Sequence, residues 1–151
     1  MPQSYTNLIY HLVYSTKNRE LLITNDLQPR LYDYIGGMIR TRGGISLAIG
    51  GMSDHVHILA KLKPDKALSD VLHDLKANST GWMQDVFPEM KAFTWQRSYG
   101  AFTVSNSQVE IVRHYIVHQE EHHRKHGIFR DEFIKLLIAN EIEFEEKYLW
   151  T

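Results

Sequence analysis

The order of apolar and polar positions divides the chain into alternating strand-like and helix-like segments. Residues 5–15, YTNLIYHLVYS, are rich in β-branched and aromatic residues and read as a strand. From Leu27 the apolar spacing changes to a helical one. Leu27, Leu31, Tyr34, Ile35 and Met38 share one side of a helix that Asp26 can cap and that Gly43-Gly44 ends near Arg42. ISLAIGG (45–51) and HVHILAKL (55–62) are short apolar runs joined by the turn residues Met52-Ser53-Asp54, which predicts a hairpin. A second helix is expected from about Ala67 to Val86, with Leu68, Val71, Leu72, Leu75 and Trp82 on one face and Pro88 closing it. KAFTWQ and YGAFTVS read as two more strands. Ser107 and Glu110 have capping-box spacing for a third helix running to about Lys125, and a fourth is expected over Asp131–Ala139. The tail IEFEEKYLW gives no clear periodicity.

The resulting order, β-α-β-β-α-β-β-α-α, fits an α+β fold. It is a ferredoxin-like or split βαβ sandwich, with an antiparallel or mixed sheet and helices packed on one face. A length of 151 residues suits a single domain over 1–151, and 43% hydrophobic residues supply a core. Cysteine is absent, which excludes disulfides and thiolate metal sites. The first residues do not read as a secretory signal and no stretch reaches 18 apolar residues, so a cytoplasmic protein without membrane contact is expected. The net charge of −1 argues mildly against nucleic acid as a partner. Its distribution weakens that objection. Residues 131–151 carry a net −4, and residues 1–130 a net +3.

Candidate chemistry begins at His55-Val56-His57. Side chains at i and i+2 of a strand point to the same side, so the imidazoles project together while Val56 faces the core. Such a pair can start a divalent-metal site, or it can be an exposed strand that carries two histidines. Tyr115 and Gln119, four apart, lie along one edge of the apolar stripe Val109, Val112 and Ile116 of the third helix, with His122 beyond. The alternative is a border tyrosine beside a solvated glutamine. His118-Gln119-Glu120-Glu121-His122 fits the H-x-x-E-H pattern of zinc peptidases. Those enzymes need another carboxylate well downstream, and 29 residues follow His122. His122, His123 and His126 are therefore read as surface residues. Asp54 suits a turn, and could also orient an imidazole.

Taken together, GMSDHVHIL (51–59), LSDVLHDLKANSTGWM (68–83), WQRSYGAFTVS (95–105), VRHYIVHQEEHH (112–123) and the closing YLW (148–150) resemble the HUH single-tyrosine transposases of the insertion sequence 200/605 group. The His-x-His motif is short. Tyr-x-x-x-Gln about sixty residues later, with Trp-Gln-x-x-Tyr-Gly-Ala-Phe between them, makes the match specific.

The resemblance implies that His55, His57 and Gln119 bind Mg²⁺ or Mn²⁺ and that Tyr115, on a C-terminal nucleophile helix, is the nucleophile. It implies cleavage and rejoining of single-stranded DNA through a 5′-phosphotyrosine, with hairpins at element ends recognised. A homodimer with sites shared between subunits is also implied. Imidazole donors favour Mn²⁺ at least as much as Mg²⁺. Lys76 matches a basic position on the second helix, and with Arg97 is assigned to DNA contact. Many relatives have Asn before the Gln, where His118 stands here. Trp82, Trp95, Tyr99 and Phe102 are the aromatic residues available to stack on bases. The alternative is a non-cleaving or domesticated DNA-binding relative with the same fold.

Overall fold

The computed structural model describes residues 4–151. Its centre is a four-stranded antiparallel sheet in the order β2-β3-β1-β4. The strands are β1 (Leu8–Ser15), β2 (Ile45–Met52), β3 (His55–Leu62) and β4 (Gly100–Thr103). β1 and β3 are central because their residues are apolar on both faces. Leu12 and Tyr14 of β1, with Val56, Ile58 and Ala60 of β3, face one side. There α1 (Leu27–Thr41) contributes Leu31, Ile35 and Ile39, and α2 (Leu68–Val86) contributes Leu72, Leu75 and Met83. The α+β sandwich on an antiparallel sheet is as the pattern predicts, but helices pack on both faces rather than the one expected.

The opposite face is covered too. Ile9 and Leu59 meet Ile116 of α3 (Val109–Val117), and Val13 meets Phe129, Phe133 and Leu137 of α5 (Phe129–Ala139). The sheet is thus a middle layer, and the histidine strand lies beneath the C-terminal helices. Among the described residues, no helix is long and apolar enough to cross a membrane.

Four local expectations change. KAFTWQ is not a strand. It makes a single bridge, Thr16 to Trp95, because side chains hold this segment instead. Gln96 Oε1 accepts from the Ser15 amide at 2.7 Å, and its Nε2 donates to the Leu149 carbonyl. The capping box does not form. Ser107 sits in a short 3-10 turn, Asn106–Gln108, and α3 starts after it without a side-chain cap. Asp26 does not cap α1 either, where Thr24 Oγ1 accepts from the Leu27 amide at 3.2 Å. The third helix breaks at His118 (φ −107°, ψ 30°), so α4 (Gln119–His126) is separate from α3. The unclear tail forms a 3-10 turn at Glu146–Tyr148, after which Trp150 packs on Phe129 and Phe133.

α3 packs directly over Gly50, the cross-strand partner of His57. A Cβ there would lie 2.1 Å from the Ile116 carbonyl oxygen. Gly50→Ala should therefore push α3 outward. An overpacking cost of about 1–3 kcal/mol corresponds to a melting temperature about 3–10 °C lower. Thermal unfolding checks this, and an unchanged melting temperature would show that α3 shifts freely.

Candidate metal and nucleophile centre

β3 turns His55 and His57 onto the face covered by α3, α4 and α5, and both are fully buried. The exposed-strand alternative is thereby removed. Three elements converge on the pair. α3 brings the Tyr115 ring to 5.5 Å from the His57 ring. The break at His118 turns Gln119 inward, so that its Oε1 lies 3.1 Å from His55 Nε2 while its Nε2 donates to the Tyr115 carbonyl at 3.3 Å. α5 adds a residue that the sequence reading missed, Glu132. Its Oε1 lies 2.8 Å from His57 Nε2 and 3.6 Å from His55 Nε2.

The orientation of each imidazole is fixed from behind. His55 Nδ1 is 2.7 Å from the Asp54 carboxylate, and His57 Nδ1 is 2.8 Å from Nε2 of His11, a buried residue of β1. Burial, with the charge of the adjacent imidazole, lowers the His57 pKa to about 4, and burial lowers His11 to about 3. Both are neutral at pH 7. A neutral imidazole has one N–H to give. When His57 gives it to His11, and His55 gives its own to Asp54, both Nε2 lone pairs face the Glu132 and Gln119 oxygens. The nearest donor atoms of His55, His57 and Glu132 lie within 4.8 Å of one another. Converging lone pairs repel unless a cation sits among them, so this donor set fits a divalent metal. The same geometry makes His11 a positioning residue. His11→Phe should weaken Mn²⁺ binding by about 10–100-fold, and His11→Gln, which can still accept the bond, should recover most of it. Isothermal titration calorimetry measures both, and equal affinities would mean that His11 only fills space.

Electrostatics around Tyr115 are unhelpful to ionisation. Burial pushes the hydroxyl above its ordinary range, and the Glu132 charge and hydrogen bond push it further, partly offset by a hydrogen bond from Gln119. Burial would raise the Glu132 carboxyl. In the metal-free tautomer, where His57 turns its one N–H to Glu132 instead, hydrogen bonds from His123 and His57 outweigh that and hold it well below the usual carboxylate range.

His122 and His123 are not free surface residues, because their Nε2 atoms lie 3.0 and 3.3 Å from Glu132 Oε2; the side chain of His126 lies outside those described. His118 is exposed and bonds back to the His114 carbonyl at 2.8 Å, away from this cluster, so the peptidase constellation is not assembled.

The two basic residues assigned to DNA line a different groove of about 420 Å³, on the α2 side of the sheet. Lys76 directs its ammonium at the carbonyls of Gln96, Arg97 and Ser98, at 2.9, 3.3 and 2.6 Å, and burial lowers its pKa to about 8. Its three donors are thus engaged in shaping the segment that carries the exposed Arg97. Of the four aromatics, Trp95 and Phe102 are core residues, Trp82 stacks on Tyr34, and Tyr99 borders the groove.

The comparisons with known proteins agree with this geometry. Residues 4–119 match the family described as "Transposase IS200 like". The chain belongs to this family of DNA transposases. It is 28% identical over 119 residues to the ISDra2 transposase TnpA of Deinococcus radiodurans, covering 76% of this chain and 85% of that protein. A crystal structure of a Deinococcus radiodurans R1 protein assigned to the transposases superposes with a TM-score of 0.64 at 27% identity. It covers 77% of this chain and 94% of its own. A REP-associated tyrosine transposase bound to a REP hairpin shares the fold over the whole of this chain and 90% of its own (TM-score 0.59, 16% identity). The family match ends at Gln119, so α5 and Glu132 lie beyond it.

Proposed function

We propose that this chain is a metal-dependent transposase that cleaves and rejoins single-stranded DNA through a phosphotyrosine at Tyr115. The observation that carries this reading is the meeting, within one chain, of a tyrosine hydroxyl and a buried His-His-Gln-Glu donor set. A divalent ion held by His55, His57, Gln119 and Glu132, Mn²⁺ or Mg²⁺, would supply Lewis-acid polarisation of the scissile phosphate. The polarity proposed for the cut follows the resemblance to the HUH enzymes. The Tyr115 hydroxyl gives up its proton, the Oη–P bond forms, the P–O3′ bond breaks, and the leaving 3′ oxygen takes up a proton to become the free 3′-OH. The phosphodiester energy is retained in the 5′-phosphotyrosine for attack by another 3′-OH. His11 and Asp54 hold the imidazoles in the tautomers that this requires.

Hairpin DNA is the proposed substrate, and the cytoplasm the proposed location. The groove bordered by Arg97, which Lys76 shapes, is a second contact surface for it. A homodimer belongs to the same reading. Since Tyr115, Gln119 and both histidines meet in one chain, each subunit of it would carry its own donor set. The test is a covalent protein–DNA adduct, resistant to denaturant, formed on a 5′- or 3′-labelled single-stranded hairpin with Mn²⁺. Binding of the hairpin without any adduct would favour the non-cleaving relative.

A further inference from the structure

Helix α5 carries more than Glu132 toward the nucleophile. Glu132, Lys135, Leu136 and Ala139 lie on one side of it and form a wall of a cleft of about 310 Å³, with Tyr115 and His122 opposite. That volume lies within the range of ligand-binding clefts. Lys135 is exposed at this cleft, and among the described residues it enters no ion pair. The acids near it are matched elsewhere. Asp131 and Glu146 both pair with Arg130, and Glu145 with Lys147. Glu132 faces the histidines instead, with nitrogens of His57, His122 and His123 at 2.8, 3.0 and 3.3 Å from its carboxylate oxygens. In a segment that is acidic overall, an unmatched ammonium therefore stands at the mouth of the cleft that contains Tyr115.

We propose that the cleft between α3 and α5 seats the single strand to be cut, and that Lys135 binds a backbone phosphate flanking the one Tyr115 attacks. The inference rests on the proposed function and adds a residue outside the family-matched segment. The chemistry is ordinary. A strand whose phosphate reaches Tyr115 must bring its neighbouring phosphates into this cleft, and each needs a counter-charge to replace the counterions it sheds. Glu132 alone would repel the strand. Glu132 is buried and turned toward the histidines, and toward a metal when bound, so the exposed charge at the mouth is that of Lys135.

The experiment measures hairpin affinity by fluorescence anisotropy across a salt series with Mn²⁺. Tyr115→Phe protein is used, so that no covalent product contributes, and it is compared with the same chain carrying Lys135→Gln or Lys135→Arg. Loss of one contact should reduce the slope of log affinity against log salt by roughly 0.7 in magnitude. The advantage over Lys135→Gln then shrinks by about threefold between about 50 and 200 mM salt. Lys135→Arg should restore the slope. An unchanged slope in Lys135→Gln, with wild-type protein still forming its adduct, overturns the inference and leaves the function standing. A reduced slope with no wild-type adduct supports the cleft and overturns cleavage. Neither binding nor adduct overturns both.

Discussion

Tyr115→Phe should abolish the covalent DNA adduct while leaving the fold and the metal site in place. Loss of the proposed nucleophile should lower adduct formation by at least about 10⁴-fold, since the step is routed through its hydroxyl. The phenyl ring keeps the contacts that seat Tyr115, with ring centroids 6.1 Å from His11, 5.5 Å from His57 and 5.0 Å from His122. Mn²⁺ affinity should change little, because the hydroxyl is not among the proposed ligands. The wild-type rate carries a second signature. Burial and Glu132 hold the hydroxyl above its ordinary range, so the ionised fraction is small at neutral pH and grows tenfold per unit. Adduct formation should therefore climb with pH through the neutral range. A denaturing gel of labelled hairpin reads both effects, and an undiminished band from the Phe variant would place the nucleophile elsewhere.

This result also separates the two readings that the fold alone leaves together. A non-cleaving relative needs the sheet, the groove and the histidines, but not a tyrosine hydroxyl beside a donor set. Half-burying that hydroxyl without a partner would cost free energy. Here Glu132 and Gln119, two of the proposed ligands, also face the hydroxyl, which puts it beside the ion that would polarise the phosphate.

Much of this was legible in residue order. Period-two alternation in HVHILAKL put both histidines on one face, and the apolar partner Val56 on the other. What periodicity did not carry is which face another helix would cover, because that depends on where distant segments return. Glu132 shows the difficulty. It is 75 residues from His57, beyond the family match, on a helix whose predicted start at Asp131 missed Phe129. A signal was present. Phe129, Phe133 and Leu137 mark a buried stripe with i, i+4 spacing, and Glu132 lies on it. A carboxylate on an apolar stripe needs a buried partner. His11 gave the same kind of hint, a polar residue between Ile9 and Val13 on the inward face of β1. The Trp95-Gln96 segment was misread because its order comes from Gln96 side-chain bonds, and strand propensity does not see those.

Glu132→Gln is the second large effect. The substitution keeps the shape of the side chain and removes its charge, so it asks whether α5 supplies a metal ligand or only a counter-charge for histidines. If Glu132 binds the ion, the neutral variant should bind Mn²⁺ about 10–100-fold more weakly, and its adduct yield should recover as Mn²⁺ is raised. The competing view makes a different forecast. A carboxylate that merely pairs with His57, His122 and His123 would, when neutralised, destabilise the apo chain by about 1–3 kcal/mol and leave metal affinity unchanged. His57 does not confuse the comparison. Its pKa near 4 in the wild type includes an upward pull from Glu132, so removing that charge lowers it further and His57 stays neutral at pH 7 in both proteins. Calorimetric Mn²⁺ titration at pH 7, alongside thermal unfolding of the apo forms, separates the outcomes. Equal affinities with a lower melting temperature would return Glu132 to a structural role and leave His55, His57 and Gln119 as the proposed ligands, all of them within the family-matched segment.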